Sequence, residues 1–533
     1  MHEHAQPRPR PTRRSSAIAI AAIAAVIGAG PVSAAPPSTA TGPSTTTAPY
    51  VLPVADDVRI TSLLTVGDSG AAANGYELVG IPDGLGATVK DHKLLLYANH
   101  ELRDTAGIAR RHGQTGAFVS RWIVDPKTLK VLHGSDLIDP GVRYWDYPSG
   151  TRVTSGARFA DSAVQDATFG RFCGGTLSAP GVFYDKRSGS GYRGQIWFAN
   201  EEDGDNGRTF AVTADGKTVA LPRLSLFSKE DTVAAANRSK TTLVLGQEDG
   251  PNDGSQLWAY VGTKRRSGDP VQRAGLTNGL DYVIKAVNGA VTNDVLWRST
   301  YAKGVPAPVN LVNVPWNQTG AAQNVQAQTL GLSLNRIEDG IWDPRHRNDF
   351  YFLTTEGGQS EGAGLDLRDG GGLWGLHFKN IDKPFAGATL TLLLDGSESF
   401  GGTEPKLNKP DNITLDRHGN ILIQEDPGNN NHIARIVAYR VKDGALGVIA
   451  RFDPALFGPG ATDDPTRLTT DEESSGIVDT EQILGKGTFV FDAQVHTSKG
   501  LPTGTIAGTV GEFVERGQVL VLKVKDWDEV YGD

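Results

Sequence analysis

The chain predicts an all-β fold, a β-propeller of six blades with long loop insertions, and three observations predict it. Glycine supplies 65 of the 533 residues, about 12% where about 7% is usual. From about Tyr50 onward, short apolar runs are separated by Gly, Asp and Asn, and few helical periods exceed three turns. Six of the runs also share an ending, five in a carboxylate and one in an acid followed by a histidine.

The first element is an address. Arg8, Arg10, Arg13 and Arg14 precede an apolar stretch from Ala17 to about Gly30, and Val32-Ser33-Ala34 fits the small-residue rule for signal peptidase. Residues 1–34 therefore read as a signal peptide, and the protein is expected to be secreted or in a periplasm-equivalent space. Arg13-Arg14 is either an ordinary positive start or a twin-arginine signal, whose route exports proteins already folded. Residues 35–50 are mostly Pro, Ser, Thr and Ala and read as a disordered linker. Residues 51–533 read as a single propeller domain. Removing the leader takes away four Arg and one Glu, so the net charge moves from −9 to −12. That balance excludes a nucleic-acid footprint. No apolar run in the body is long enough to span a membrane. The single cysteine, Cys173, excludes a disulfide framework and a zinc site of several thiolates.

The six runs are Leu94–Glu101, Gln195–Glu202, Thr242–Asp249, Phe350–Glu356, Ile421–Asp426 and Gly487–His496. Asp231–Asn237 reads as a short helix. Successive acids lie 47 to 108 residues apart. A tight four-stranded blade repeat needs roughly 40–45, so the wider gaps leave room for insertions. In a propeller, equivalent strands end around one channel. Carboxylates crowded there repel, so their pKa values rise or cations sit among them. Oxygen ligands of this kind suit Ca²⁺. The alternative is that acids follow strands because turns favour Asp.

Cys173 sits in RFCGGTLSAPG. It is either a buried inert thiol or a ligand selecting a softer metal such as iron, copper or zinc. In NRIEDGIWDP, Arg336 and Glu338 flank Ile337 and share one face of an extended strand. They suit either a surface ion pair at the start of a strand or a site where the carboxylate holds metal and the guanidinium fork grips an anion. PDGLG (Pro82–Gly86) reads as a tight turn, and EESSG (Glu472–Gly476) precedes the last run. One G-x-S-x-G match centres on Ser360, but no helix pattern follows it. P-loop and H-E-x-x-H templates are absent.

The order of these motifs resembles the PhoX-type alkaline phosphatases. PDGLG, NHE (Asn99–Glu101), a lone C-G-G, N-E-E, Q-E-D-G, R-x-E-D and PDN follow one another as in that family. ESSGIVD…GTFVFDAQVH is similar to a segment of that group and its phytase-like relatives. The resemblance covers roughly residues 55–525. It implies a six-bladed propeller, export by the twin-arginine route, and a site of oxo-bridged ferric iron with calcium that hydrolyses phosphate monoesters. Carried over, Cys173 is an iron ligand, Glu248 and Glu338 are metal ligands, and one of Glu201 and Glu202 holds calcium. Arg336 binds the substrate phosphate and serves catalysis. Asn99, Glu101, Glu425 and Asp492 are further metal candidates. The expected cofactors are iron (Fe³⁺) and calcium, the partners small phosphorylated substrates, and the state a monomer. In the family the cysteine and the acidic pair lie closer together, whereas here 27 residues separate Cys173 from Glu201. A calcium-only propeller acting on phytate, lactones or other esters, and a non-catalytic secreted propeller, are the rival readings.

Overall fold

The computed structural model describes residues 38–532 except 69–70, 148, 155–167, 252–253, 357–369, 397, 399–405, 430, 459–463 and 503–510. The expected signal peptide and Ser360 lie outside the described residues.

All six acid-tipped runs contain strands: Lys93–His100, Ile196–Glu201, Thr241–Glu248, Asp349–Thr354, Asn420–Glu425 and Thr488–Val495. Each pairs antiparallel with a strand that precedes it, with a short hairpin, Tyr184–Asp185 and Ser190–Gly191, intervening in the second blade. Those partners are Pro82–Lys90, Phe172–Leu177, Lys229–Ala234, Ile337–Trp342, Pro410–Leu415 and Glu472–Asp479. The six partner strands adjoin one another in chain order, and the sixth adjoins the first, so they ring a central channel. They are the inner strands of six propeller blades, and the acid-tipped runs are the second strands. Ala307–Val314 pairs with the outer strands of the third and fourth blades and merges the two into a nine-stranded sheet. The sixth blade takes its outer strand, Val58–Thr65, from the start of the chain and pairs it with Arg516–Val524 from the end. That pairing closes the ring.

Most of the core is divided in the same way, into six large apolar clusters that each lie between two neighbouring blades. Second strands are buried on both faces. Leu94 and Leu96 pack toward the sixth blade, Leu95 and Tyr97 toward the second. This is why LLLYA is a continuous apolar run rather than an alternating one.

Three local expectations are corrected. Asp231–Ala234 belongs to an inner strand rather than a helix, where Val233 joins the core between the third and fourth blades. Pro82–Gly86 opens an inner strand rather than forming a turn, and Glu472–Gly476 opens another. Their glycines serve close approach: a Cβ on Gly84 would lie 1.9 Å from the Gly175 nitrogen, and one on Gly476 2.6 Å from the Asp83 carbonyl. Residues 38–50, within the stretch read as a linker, form a strap. Thr39–Thr41 pairs with Val58–Thr65, Ser44 and Tyr50 are buried, and the Asp68 carboxylate accepts hydrogen bonds from Thr45, Thr46 and Thr47. Composition missed the strap because its hydroxyls bond to the protein rather than to water. No described helix is long and apolar enough to cross a membrane.

Candidate active site at the channel mouth

Each inner strand carries a metal-type donor as its second residue: Asp83, Cys173, Glu230, Glu338, Asp411 and Glu473. In the first five blades the pairing breaks immediately around it, jumping from Pro82 to Leu85, Phe172 to Gly175, Lys229 to Thr232, Ile337 to Gly340 and Pro410 to Ile413. A bulge at that point frees the donor from the ladder and re-aims its side chain. All six donors are buried or nearly so. Beneath them lies a cavity of about 130 Å³ walled by Gly84, Gly174, Gly175, Gly340 and Gly476, with Asp231, Asp339 and Asn412.

The second strands add an outer set, and strand alternation decides which residues belong to it. His100, Glu201, Glu248, Thr354 and Glu425 are the last paired residues opposite the first residue of their inner strands. Their side chains turn back into their own blades. The residues one step on turn toward the next blade and the mouth: Glu101, Glu202, Asp249, Thr355, Asp426 and, in the sixth blade, His496. Glu101 and Glu202 both pair with Arg171, at 2.6 and 2.5 Å. Asp249 takes both Nε and Nη2 of Arg336 at 2.8 Å. Arg336 Nη2 also lies 3.5 Å from Glu338, and the Thr355 hydroxyl donates to Glu338. His496 lies between Glu515 and Glu473. Burial opposes its charged form, but those two carboxylates raise its pKa.

The mouth thus gathers nine carboxyl groups (Asp83, Glu101, Glu202, Glu230, Asp249, Glu338, Asp411, Asp426 and Glu473) around the guanidinium groups of Arg171 and Arg336. Burial first, then mutual repulsion, pushes Asp83, Glu230 and Asp411 well above the usual carboxylate range. Glu202 and Glu338 are pushed up as well, burial outweighing their arginine partners. Burial also raises the Cys173 thiol, with Asp83 and Glu230 adding to the effect. Two sets have donor atoms within 4.8 Å of one another: Asp83, Glu101 and Cys173, and Glu230, Glu338 and Asp411. The thiol joins the sets, lying 3.3 Å from Asp83 Oδ2 and 3.0 Å from Glu230 Oε2. Asp83 Oδ1 and Glu230 Oε1 are buried without a hydrogen-bond partner among the described residues. Crowded acids with orphaned oxygens and a thiol match the donor chemistry of bound cations.

The structure brings Cys173, Glu338, Arg336, Glu202 and Glu101 together at this mouth. It takes other candidates elsewhere. Glu201 is clamped by Arg208 and the Gly170 N–H. Glu248 accepts from Trp258 Nε1 and Gln256 N–H at 2.9 Å. Glu425 is held by Arg435 and His432. Asn99 donates to the Cys173 and Gly174 carbonyls and so supports the bulge behind the thiol. Asp492, in contrast, stays close enough to the mouth to be repelled by Asp83 and Glu473; it is buried in the sixth blade's second strand, its oxygens unpartnered among the described residues. The reading from sequence missed Asp83, Glu230, Asp411 and Glu473, and it preferred Glu248 and Glu425 to their neighbours Asp249 and Asp426, which end the same runs. Their signal is the second position of each inner strand (PDG, FCG, KED, IED, PDN, EES) and the second acid of each E-E or E-D pair.

An all-β propeller whose inner strands deliver metal-type donors and arginines to one mouth has the makings of a hydrolase of anionic substrates. A family model described as alkaline phosphatase PhoX matches residues 211–478. The chain belongs to the PhoX alkaline phosphatase family and is thereby a phosphoric monoester hydrolase. Among solved structures, Pseudomonas fluorescens PhoX in complex with vanadate, a transition-state analogue, matches with a TM-score of 0.60 and 12% identity, over 88% of this chain and 95% of that one. This likeness shows the propeller fold. A GH43_1 enzyme from Xanthomonas citri, complexed with xylose, reaches a TM-score of 0.30 at 11% identity, over 83% of this chain and 87% of that one. No curated protein matches the chain.

Proposed function

We propose that this is an exported, monomeric phosphatase whose hydrolysis of small phosphate monoesters depends on iron and calcium held at the channel mouth. The observation that carries this reading is the thiol of Cys173 set between the two acidic donor sets. Asp83, Glu101 and Cys173 offer a mixed thiolate–carboxylate set suited to iron. Glu230, Glu338 and Asp411 offer oxygen alone, the chemistry calcium prefers. The bound cations would supply Lewis acidity toward the phosphoryl oxygens and an activated water.

The chain's own residues supply the rest. Arg336 keeps its charge between Asp249 and Glu338, and its Nη1 makes no hydrogen bond among the described residues, which leaves donors for a phosphoryl oxygen. A guanidinium fixed in place before the substrate arrives stabilises charge that develops in the transition state. Glu202 and Asp249 hold the two arginines at the rim. Export through the leader 1–34 would carry the enzyme to extracellular phosphate esters.

Elemental analysis of natively purified protein, with turnover of an aryl phosphate, tests the reading. Iron and calcium are expected, with Cys173→Ser losing iron and activity together. Calcium alone, with Cys173→Ser fully active, would favour a calcium-only propeller hydrolase acting on phytate or other esters. Metal binding with no turnover of any ester would favour a non-catalytic propeller.

A further inference from the structure

The residue two places before each inner-strand donor forms a repeating rim. These residues are Ile81, Arg171, Ser228, Arg336, Lys409 and Asp471. Four of them hold left-handed backbone without being glycine: Ile81 at φ 53°, Arg171 at 40°, Arg336 at 51° and Lys409 at 45°. Backbone strain of this kind persists where the surroundings impose it, and it clusters at functional sites. Here the carbonyl of each accepts the N–H of the outward residue on its own second strand. Glu101 donates to Ile81 and Glu202 to Arg171 at 2.9 Å, Thr355 to Arg336 at 3.0 Å, and Asp426 to Lys409 at 2.9 Å.

Arg171 is thus the counterpart, in the second blade, of Arg336 in the fourth. The match extends to side chains. Each guanidinium reaches back to the outward carboxylate of the preceding blade, Arg171 to Glu101 and Arg336 to Asp249. Arg171 is more open than its carboxylate partners, its side chain 38% exposed against 9% for Glu101 and 12% for Glu202. It therefore faces the mouth rather than filling a core. Glu101 also belongs to one of the donor sets, so a cation drawing on that carboxylate loosens its hold on the guanidinium.

We infer that Arg171 is a second anion-binding residue of the active site, and that the site is built for phosphate esters carrying a second phosphoryl group. Arg336 takes the reacting phosphoryl, and Arg171, two blades round the same rim, takes the other. Both guanidinium forks match phosphate geometry, which a lysine would meet only as a point charge. The inference rests on the phosphatase reading of the same site.

The test uses the full exported protein and a matched pair of probes, fructose 6-phosphate and fructose 1,6-bisphosphate. The wild type is expected to favour the bisphosphate in kcat/KM. Arg171→Gln is expected to lower kcat/KM for the bisphosphate about 10- to 100-fold, mainly through KM, and for the monophosphate only a few-fold. Arg171→Lys should fall between, because it restores charge without the fork. Arg336→Gln should lower both substrates alike, through kcat. An equal loss on both probes with Arg171→Gln, or a wild type indifferent to the second phosphoryl, would overturn the inference. A melting temperature for each variant separates misfolding from lost binding. A wild type that hydrolyses neither probe nor an aryl phosphate would instead overturn the phosphatase reading.

Discussion

Glu425 and Asp426 are neighbours in the chain with opposite environments. Both are carboxylates at the end of the fifth blade's second strand, but they face opposite sides of it. Glu425 turns back to Arg435 and His432. Burial would raise its pKa, but those two partners overcome burial and hold it down at about 2. Asp426 turns toward the mouth, where burial first and then Glu473 push it up to about 7. The second blade repeats the division, with Glu201 clamped by Arg208 and Glu202 among the rim carboxylates. One acid in each pair contributes to the fold. The other stands among the rim carboxylates with its pKa raised, Glu202 even though Arg171 pairs with it.

The largest expected effect lies on the rim side. Glu338→Gln should lower kcat/KM for an aryl phosphate roughly 100- to 1000-fold, the range for removing a preorganised group at a reacting centre. The melting temperature of the metal-free variant should stay level or rise, since one crowded charge is gone. A large drop in metal-free stability would place Glu338 with Glu425 and erase the distinction.

Glu425→Gln is the mirror image. It leaves the Arg435 guanidinium, 4% exposed, without its anion, and should cost about 3 kcal/mol at pH 7, measured by denaturant unfolding. The sign follows from the depressed pKa: this contribution is present above about pH 4.5 and is lost as pH falls toward 2. The gap between variant and wild type should therefore narrow in acid. A gap independent of pH would mean that the pair matters through packing alone.

The strands of this contrast were legible in the sequence, and the side-chain directions were not. LLLYANHE, QIWFANEE and ILIQED declare strands because both faces are buried. A strand end read without its partner has no register, and a one-residue error moves a side chain to the opposite face. Glu201, Glu248 and Glu425 read as channel residues for that reason, whereas their neighbours Glu202, Asp249 and Asp426 stand there. The inner strands were harder to read. Their bulges and glycines, as in PDGLG, carry the local signature of a turn, and only the ring of neighbouring blades makes them strands. Cys173 and the Arg336–Glu338 pair were visible through the order of motifs that resembles the PhoX-type phosphatases, since alone they read equally as a buried inert thiol and a surface ion pair.

The pH response of the whole metal-free protein gives a smaller, composite effect. A carboxyl whose folded pKa is raised binds protons more tightly in the folded state than in the unfolded one. Stability then falls as pH rises through the interval between the two values. For Asp426 that interval runs from the ordinary carboxylate range up to about 7. Metal-free protein should melt at a lower temperature at pH 7.5 than at pH 5, and Asp426→Asn should flatten the slope. Added calcium should reverse it, because cations bind the deprotonated form. A melting temperature that rises with pH in the absence of metal would mean that the rim carboxylates are not the groups that titrate.

The smallest effect concerns the residue just before each pair. Asn99, Asn200, Gln247, Gln424 and Gln494 occupy equivalent places in five blades, and Leu353 takes that place in the fourth. These side chains share the face of the outward acid, and most of them serve the ring. Asn99 holds the Cys173 carbonyl, and Gln494 bonds Asp83 and Ser475. Gln247 is buried with neither side-chain polar atom bonded among the described residues. An unmet buried amide gives no net hydrogen-bond stabilisation, and the chain already carries a leucine at the equivalent position. Gln247→Leu should therefore change unfolding free energy by less than about 1 kcal/mol, in either direction. Gln494→Leu should cost more than that and lower activity as well, because Asp83 loses a donor. Equal costs for the two substitutions would mean that the amide position acts by shape, and that the bonds to Asp83 do not orient it.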